Sequence, residues 1–168
     1  MITEDLRRSL DQYIEDNYID INTASTTYSF NADIEKSSGM TFSNKEAFTL
    51  DQLMEELGES FHDMLFLHID MSGMTDVEVY KRANVDRKLF SKIRSNPAYH
   101  PRKQTVLALA IALKLSLQDT VDLLARAEYA LSPGNKGDLI VKYFIERGIY
   151  DIMAINFALD EYGQSILG

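Results

Sequence analysis

Apolar residues recur along this chain at three- and four-residue spacing, and no stretch alternates convincingly in the manner of a strand. Residues 4–19 put Leu6, Leu10, Tyr13 and Ile14 on one side of an amphipathic helix. Residues 22–46 are rich in Ser, Thr, Asn and Gly and read as a linker. Tyr28, Phe30, Ile34, Met40 and Phe42 lie inside it, so part of it is expected to be ordered against a surface. Helical spacing resumes with Leu50, Leu53, Met54 and Leu57. Ser60 with Asp63 caps a helix over 61–72, whose core face is Phe61, Met64, Leu65, His68 and Ile69 and which Gly73 closes. A central helix is expected over 105–115, apolar on most sides, after a polar turn at 95–100 and with Pro101 at a position suited to a helix start. Ser116 with Asp119 opens the next helix, running to about residue 130 through Leu117, Val121, Leu124 and Ala125. After the break at Ser132-Pro133-Gly134-Asn135 come helices over 138–147 and 151–162. Their stripes are Leu139, Ile140, Tyr143 and Phe144, then Ile152, Ile155, Phe157 and Leu159. The pattern predicts an all-α protein of roughly eight helices in four parts: an N-terminal helix (1–20), a linker (21–48), a domain with its lead-in helix (49–131) and a C-terminal helical extension (132–168).

Within that domain, residues 75–94 read as two short helices around a tight turn. Thr75 and Glu78 have the spacing of a capping box. Val79 and Ala83 share one face, Asn84 tolerates the left-handed backbone at the helix end, and Val85 inserts an apolar group into the turn. Asp86 is the next N-cap. Leu89, Phe90 and Ile93 line the second helix, and Arg87, Lys88, Lys92 and Arg94 crowd its other side. A second helix carrying cations, crossing the first steeply, is the plan of a helix-turn-helix nucleic-acid reader.

The net charge of −9 opposes such a role only until it is divided. Residues 1–74 hold four Lys/Arg against fifteen Asp/Glu, and residues 104–168 hold five against eight. Residues 75–103 hold eight against three, so nearly half of the cations fall in this short stretch. Exposed charges separated by more than about 8 Å are largely screened at physiological salt, which lets a local basic face act on an acidic chain. With no cysteine, disulfide frameworks and thiolate chemistry are excluded. The N-terminus lacks the pattern of a signal peptide, and no apolar run approaches the ~20 residues of a membrane helix. A cytoplasmic protein without membrane contact is expected.

In order and spacing, residues of about 61–130 resemble the lambda-repressor/Cro-type helix-turn-helix domain, through Val79, Ala83, Val85, Phe90, Ile93, the proline-bearing turn and Ala112-Leu113-Lys114-Leu115-Ser116. The resemblance implies a five-helix core, here with an N-terminal helix plus linker and a C-terminal helical pair. It also implies a DNA-binding regulator whose helix over 86–94 enters the major groove, acting as a homodimer through the N- or C-terminal helices. Three positions differ from the usual pattern: Asp76 stands in place of Gln, Tyr80 in place of Ala, and Asn84 in place of Gly. A carboxylate at position 76 is expected to repel phosphate, and Tyr80 to push the helices apart or cap the surface. The chain is also loosely similar to small helix-turn-helix proteins of bacterial defence systems, such as retron accessory proteins. That similarity implies the alternative of a repurposed scaffold, binding RNA or protein as an accessory subunit of a defence or stress complex.

The candidate nucleic-acid contacts are Arg87, Lys88, Ser91, Lys92 and Arg94 on the second helix, with Arg102 and Lys103 near the start of the central helix to clamp the backbone. The plainer reading of these cations is a solvated basic face paired with the chain's own acidic N-terminal half. His62, His68 and His100 lack metal-ligand spacing and read as structural or surface histidines, so no metal is expected. Neither a catalytic triad, a P-loop nor an HExxH motif occurs, so no enzymatic activity and no cofactor are expected.

Overall fold

A computed structural model describes residues 2–20 and 60–168, and among them it contains eight helices and no strand. They are α1 (Glu4–Asn17), α2 (Phe61–Ser72), α3 (Asp76–Arg82), α4 (Arg87–Ser95), α5 (Lys103–Ala112), α6 (Leu117–Arg126), α7 (Lys136–Glu146) and α8 (Ile152–Glu161). The linker expected over 21–48 and the lead-in helix around Leu50 to Leu57 lie outside the described residues. The all-α reading holds, and the helix starts agree closely with the caps legible in the sequence. Thr3, Ser60, Thr75, Asp86, Ser116, Asn135 and Asp151 each accept a backbone N–H from the first turn of the helix they precede.

Helix α5 is the centre of the described helices. Every residue from Thr105 to Ala112 is buried, with α3, α6 and α8 packed around it. A helix apolar on most sides can only be stable in that position. Helix α2 packs on α6, and α7 bridges α6 and α8. Helix α1 lies on α7 and buries Leu10 and Ile14, each contributing roughly 1.5–3 kcal/mol of transfer free energy. Polar contacts flank this apolar seam. Tyr13 donates to Glu146 at 2.7 Å, Tyr162 donates to Asp11, Arg147 donates to Ser9 at 3.3 Å, and Arg7 pairs with Glu161 at 2.6 Å. One continuous core joins α1, α2 and all the later helices.

Two expected faces are corrected. On α6 the buried residues are Thr120, Leu123 and Leu124, with Ala127 just beyond, whereas Val121 is 38% exposed and Ala125 is also exposed. On α8 the core takes Ile155, Ala158 and Leu159, and Phe157 is 51% exposed. In both, a small residue (Ala127, Ala158) lies at a buried position and a larger apolar residue is turned outward.

One turn recurs. A residue of positive φ, then an apolar residue, then an N-cap appears as Gly73-Met74-Thr75, Asn84-Val85-Asp86 and Lys114-Leu115-Ser116. With one extra residue it appears again as Gly148-Ile149-Tyr150-Asp151. Positive φ brings the following N–H back to a carbonyl of the preceding helix, as in Val85 to Tyr80 and Leu115 to Ala110. The apolar residue then reaches the core, and the cap restarts the chain as a helix.

Candidate nucleic-acid interface

Helices α3 and α4 are held by local chemistry at both ends. Thr75 and Glu78 form the complete capping box, with the Thr75 N–H donating to the Glu78 carboxylate at 2.8 Å. That N–H, and next the Thr75 hydroxyl, hold the Glu78 carboxyl below its usual range. Asn84 ends the hairpin's first half at φ 52°, Val85 is buried, and Asp86 accepts from the Lys88 N–H at 2.7 Å. Val79, Ala83, Phe90 and Ile93 are buried between the hairpin and its neighbours.

The outer face of α4 brings together four of the seven candidate residues. Arg87 and Ser91 are one helical turn apart, and Lys88 and Lys92 form the adjacent row. All four are exposed. Among the described residues Arg87 and Lys88 have no carboxylate partner, and the Lys92 ammonium sits 4.3 Å from the Tyr99 ring centroid. Arg102 is exposed at the N-cap position of α5, where no side chain caps the helix.

The remaining two cations are engaged within the protein. Arg94 leans back over the Phe66 ring, 4.5 Å from its centroid, and pairs with Asp76 at 3.1 Å. Lys103 pairs at 2.6 Å with the buried Asp138, which also accepts from the Ser132 N–H at 2.8 Å. Lys103 therefore ties α5 to α7, and Arg94 lies at the rim of the basic face. The three carboxylates of the segment are likewise occupied: Asp76 by Arg94, Glu78 by its capping box, Asp86 by its helix.

Sequence reasoning missed the neighbours of this face. Lys81 and Arg82 at the end of α3 are exposed and without a carboxylate partner among the described residues. A groove of about 510 Å³ runs between α3 and α4, lined by Asp76, Val77, Tyr80, Arg87, Ser91 and Arg94 among others. Val77 is 46% exposed, and the half-buried Tyr80 ring lies 5.8 Å from that of Phe90. Tyr80 thus covers the outer side of the crossing while Val79 and Ala83 fill the inner side. The cations were findable from the charge cluster over 75–103; the groove was not, because it depends on which way Tyr80 and Val77 turn.

Charge distinguishes this hairpin from the others built on the same turn. Helix α4 carries four cations and no carboxylate, whereas α6 includes Asp119 and Asp122 and α8 ends in Asp160 and Glu161. Of the histidines, His62 bonds to the Arg94 carbonyl and His100 to the Ala127 carbonyl. Among the described residues no group of three or more His, Cys, Asp or Glu is placed to hold a metal ion. None of the described helices is long and apolar enough to cross a membrane. No protein-family model, no curated protein and no solved structure matches the chain.

Proposed function

We propose that this chain is a helix-turn-helix nucleic-acid-binding protein that makes contact through the outer face of α4. The observation that carries the reading is the contrast among the described helices that follow the recurrent turn: of α3, α4, α6 and α8, α4 alone carries cations and no carboxylate, and Arg87 and Lys88 on it have no carboxylate partner among the described residues. The contact set is Arg87, Lys88, Ser91 and Lys92, with Arg102 at its edge and Arg94 available once Asp76 releases it. The lambda-repressor/Cro-type resemblance adds duplex DNA as the target and transcription regulation as the role. A dimer, in that reading, pairs through α8, where Met153 and Phe157 are exposed, since the apolar face of α1 is already buried on α7. Binding should weaken steeply with salt, by about 0.9 log unit per log unit of salt for each phosphate neutralised on duplex DNA and about 0.7 on a single strand. The test is binding by a variant with Arg87, Lys88 and Lys92 all replaced by Ala: affinity should be lost while the helical circular dichroism is retained.

A second reading, a scaffold that binds RNA or protein within a larger complex, is favoured by Val77 and Tyr80, whose apolar surface lies beside the cations. It is distinguished by little affinity for duplex DNA even at low salt.

A further inference from the structure

The charge on the hairpin is graded, and the grading bears on which nucleic acid it takes. In a reader that lays its second helix in the major groove, the first helix crosses the phosphate backbone. Here the first turn of α3 presents Asp76 and Glu78 with the exposed Val77 between them. The cations lie at the opposite end, where Lys81 and Arg82 close α3 and Arg87 and Lys88 open α4. A duplex backbone crossing the start of α3 would meet the Glu78 carboxylate, an aliphatic side chain and Asp76 with its charge already paired to Arg94, rather than free cations.

The same surface suits a strand whose bases are unpaired. The groove beside Asp76 and Val77 and a second groove around Lys81, Asn84 and Asp86 share two lining residues, Tyr80 and Arg87. The two therefore meet at an aromatic ring next to a guanidinium that has no carboxylate partner among the described residues. The Tyr80 hydroxyl has no hydrogen-bond partner among the described residues. A groove of about 510 Å³ falls within the range of roughly 300–1,000 Å³ that holds small organic groups. Single-stranded nucleic acid is bound by such a combination: cations that track the backbone and an aromatic face on which a base stacks. Asp76 at the far end is neutralised by Arg94, so the base-side groove carries little net repulsion.

We infer that the substrate class is single-stranded nucleic acid, with one unpaired base seated in the α3–α4 groove against Tyr80 and its phosphates on Arg87, Lys88 and Lys81. This rests on α4 being the nucleic-acid contact, and it puts a single strand in place of the duplex that the lambda-repressor/Cro-type resemblance alone suggests. The bases of DNA and RNA share the stacking chemistry, and an arm with each separates the two sources.

The experiment titrates the full chain at low salt with labelled oligo(dT), oligo(U) and a mixed-sequence duplex, for the wild type, Tyr80→Phe, Tyr80→Leu and the triple alanine variant at 87, 88 and 92. Circular dichroism and thermal midpoints accompany each variant. Photo-crosslinking to 5-iodouridine-substituted strands maps the contact independently of any loss of packing in Tyr80→Leu. The expected result is tighter binding to at least one single strand than to duplex, weakened about tenfold by Tyr80→Leu, kept within about twofold by Tyr80→Phe, and crosslinked at Tyr80. Duplex binding equal to or tighter than both single strands, or crosslinks that avoid Tyr80, overturns the single-strand assignment while leaving α4 as the contact. Absence of binding to all three probes overturns both.

Discussion

Asp76 shows how a residue can oppose a function in the sequence and be absorbed in the fold. Its carboxylate is paired with Arg94, eighteen positions away, so neither charge faces outward alone. Both side chains are substantially exposed, so the pair itself contributes only about 0–1 kcal/mol to stability. Asp76→Asn should therefore leave the thermal midpoint nearly unchanged and free Arg94 for the polyanion. The expected outcome is a severalfold gain in nucleic-acid affinity and a salt slope steeper by about 0.7–0.9, read by titration at several salt concentrations. Lys103 is the opposite case, because Asp138 is buried beneath it. Asp138→Ala should cost about 3 kcal/mol in chemical denaturation, since it removes a buried partner and leaves the Ser132 N–H unsatisfied. Lys114 stands at φ 54°, a left-handed conformation that costs a side-chain-bearing residue about 1 kcal/mol. Lys114→Gly should raise stability by no more than about 0.5 kcal/mol, because the greater freedom of glycine in the unfolded chain offsets about 0.4–1 kcal/mol of the relief.

Among the elements, α3 depends most on its caps, being only 7 residues long. Thr75→Ala should cost about 1 kcal/mol and loosen α3 relative to α4, visible as faster amide exchange at Val79 and Ala83. Caps were legible in the sequence because they act over three residues; Thr75–Glu78, Ser60–Asp63 and Ser116–Asp119 all bond as their spacing suggests. The core faces of α1 and α7 were legible for the same reason, since Leu10, Ile14, Leu139, Ile140, Tyr143 and Phe144 follow one period. What the sequence could not show depends on neighbours. Val121 and Phe157 match the helical period and yet face outward, because the buried arc of each helix is set by the neighbours it packs on and passes through Leu123–Leu124 and Ile155–Leu159 instead. The recurrent turn was hidden too. Gly73, Asn84, Lys114 and Gly148 share a backbone conformation rather than a side chain.

At the scale of the whole molecule, α1 is tied to the rest by an apolar seam and by two tyrosine–carboxylate bonds. Burial first, and then the adjacent carboxylate, push the Tyr13 and Tyr162 hydroxyls well above the ordinary tyrosine range. A raised value in the folded state means that the stability from these bonds is fully present below the unfolded value of about 10 and is lost as pH rises beyond it. The thermal midpoint should therefore fall as pH rises past about 10, and less so in a Tyr13→Phe, Tyr162→Phe double variant. Helix α4 lies apart from that seam, so its cationic face should remain intact while α1 is perturbed. Whether that face is a working surface is decided most directly by nucleic-acid binding across a range of salt, comparing the wild type with the variant carrying Ala at 87, 88 and 92. Salt-sensitive binding by the wild type, lost in the variant at unchanged circular dichroism, is the expected result. Undiminished binding by the variant, or no binding by the wild type at low salt, would contradict it.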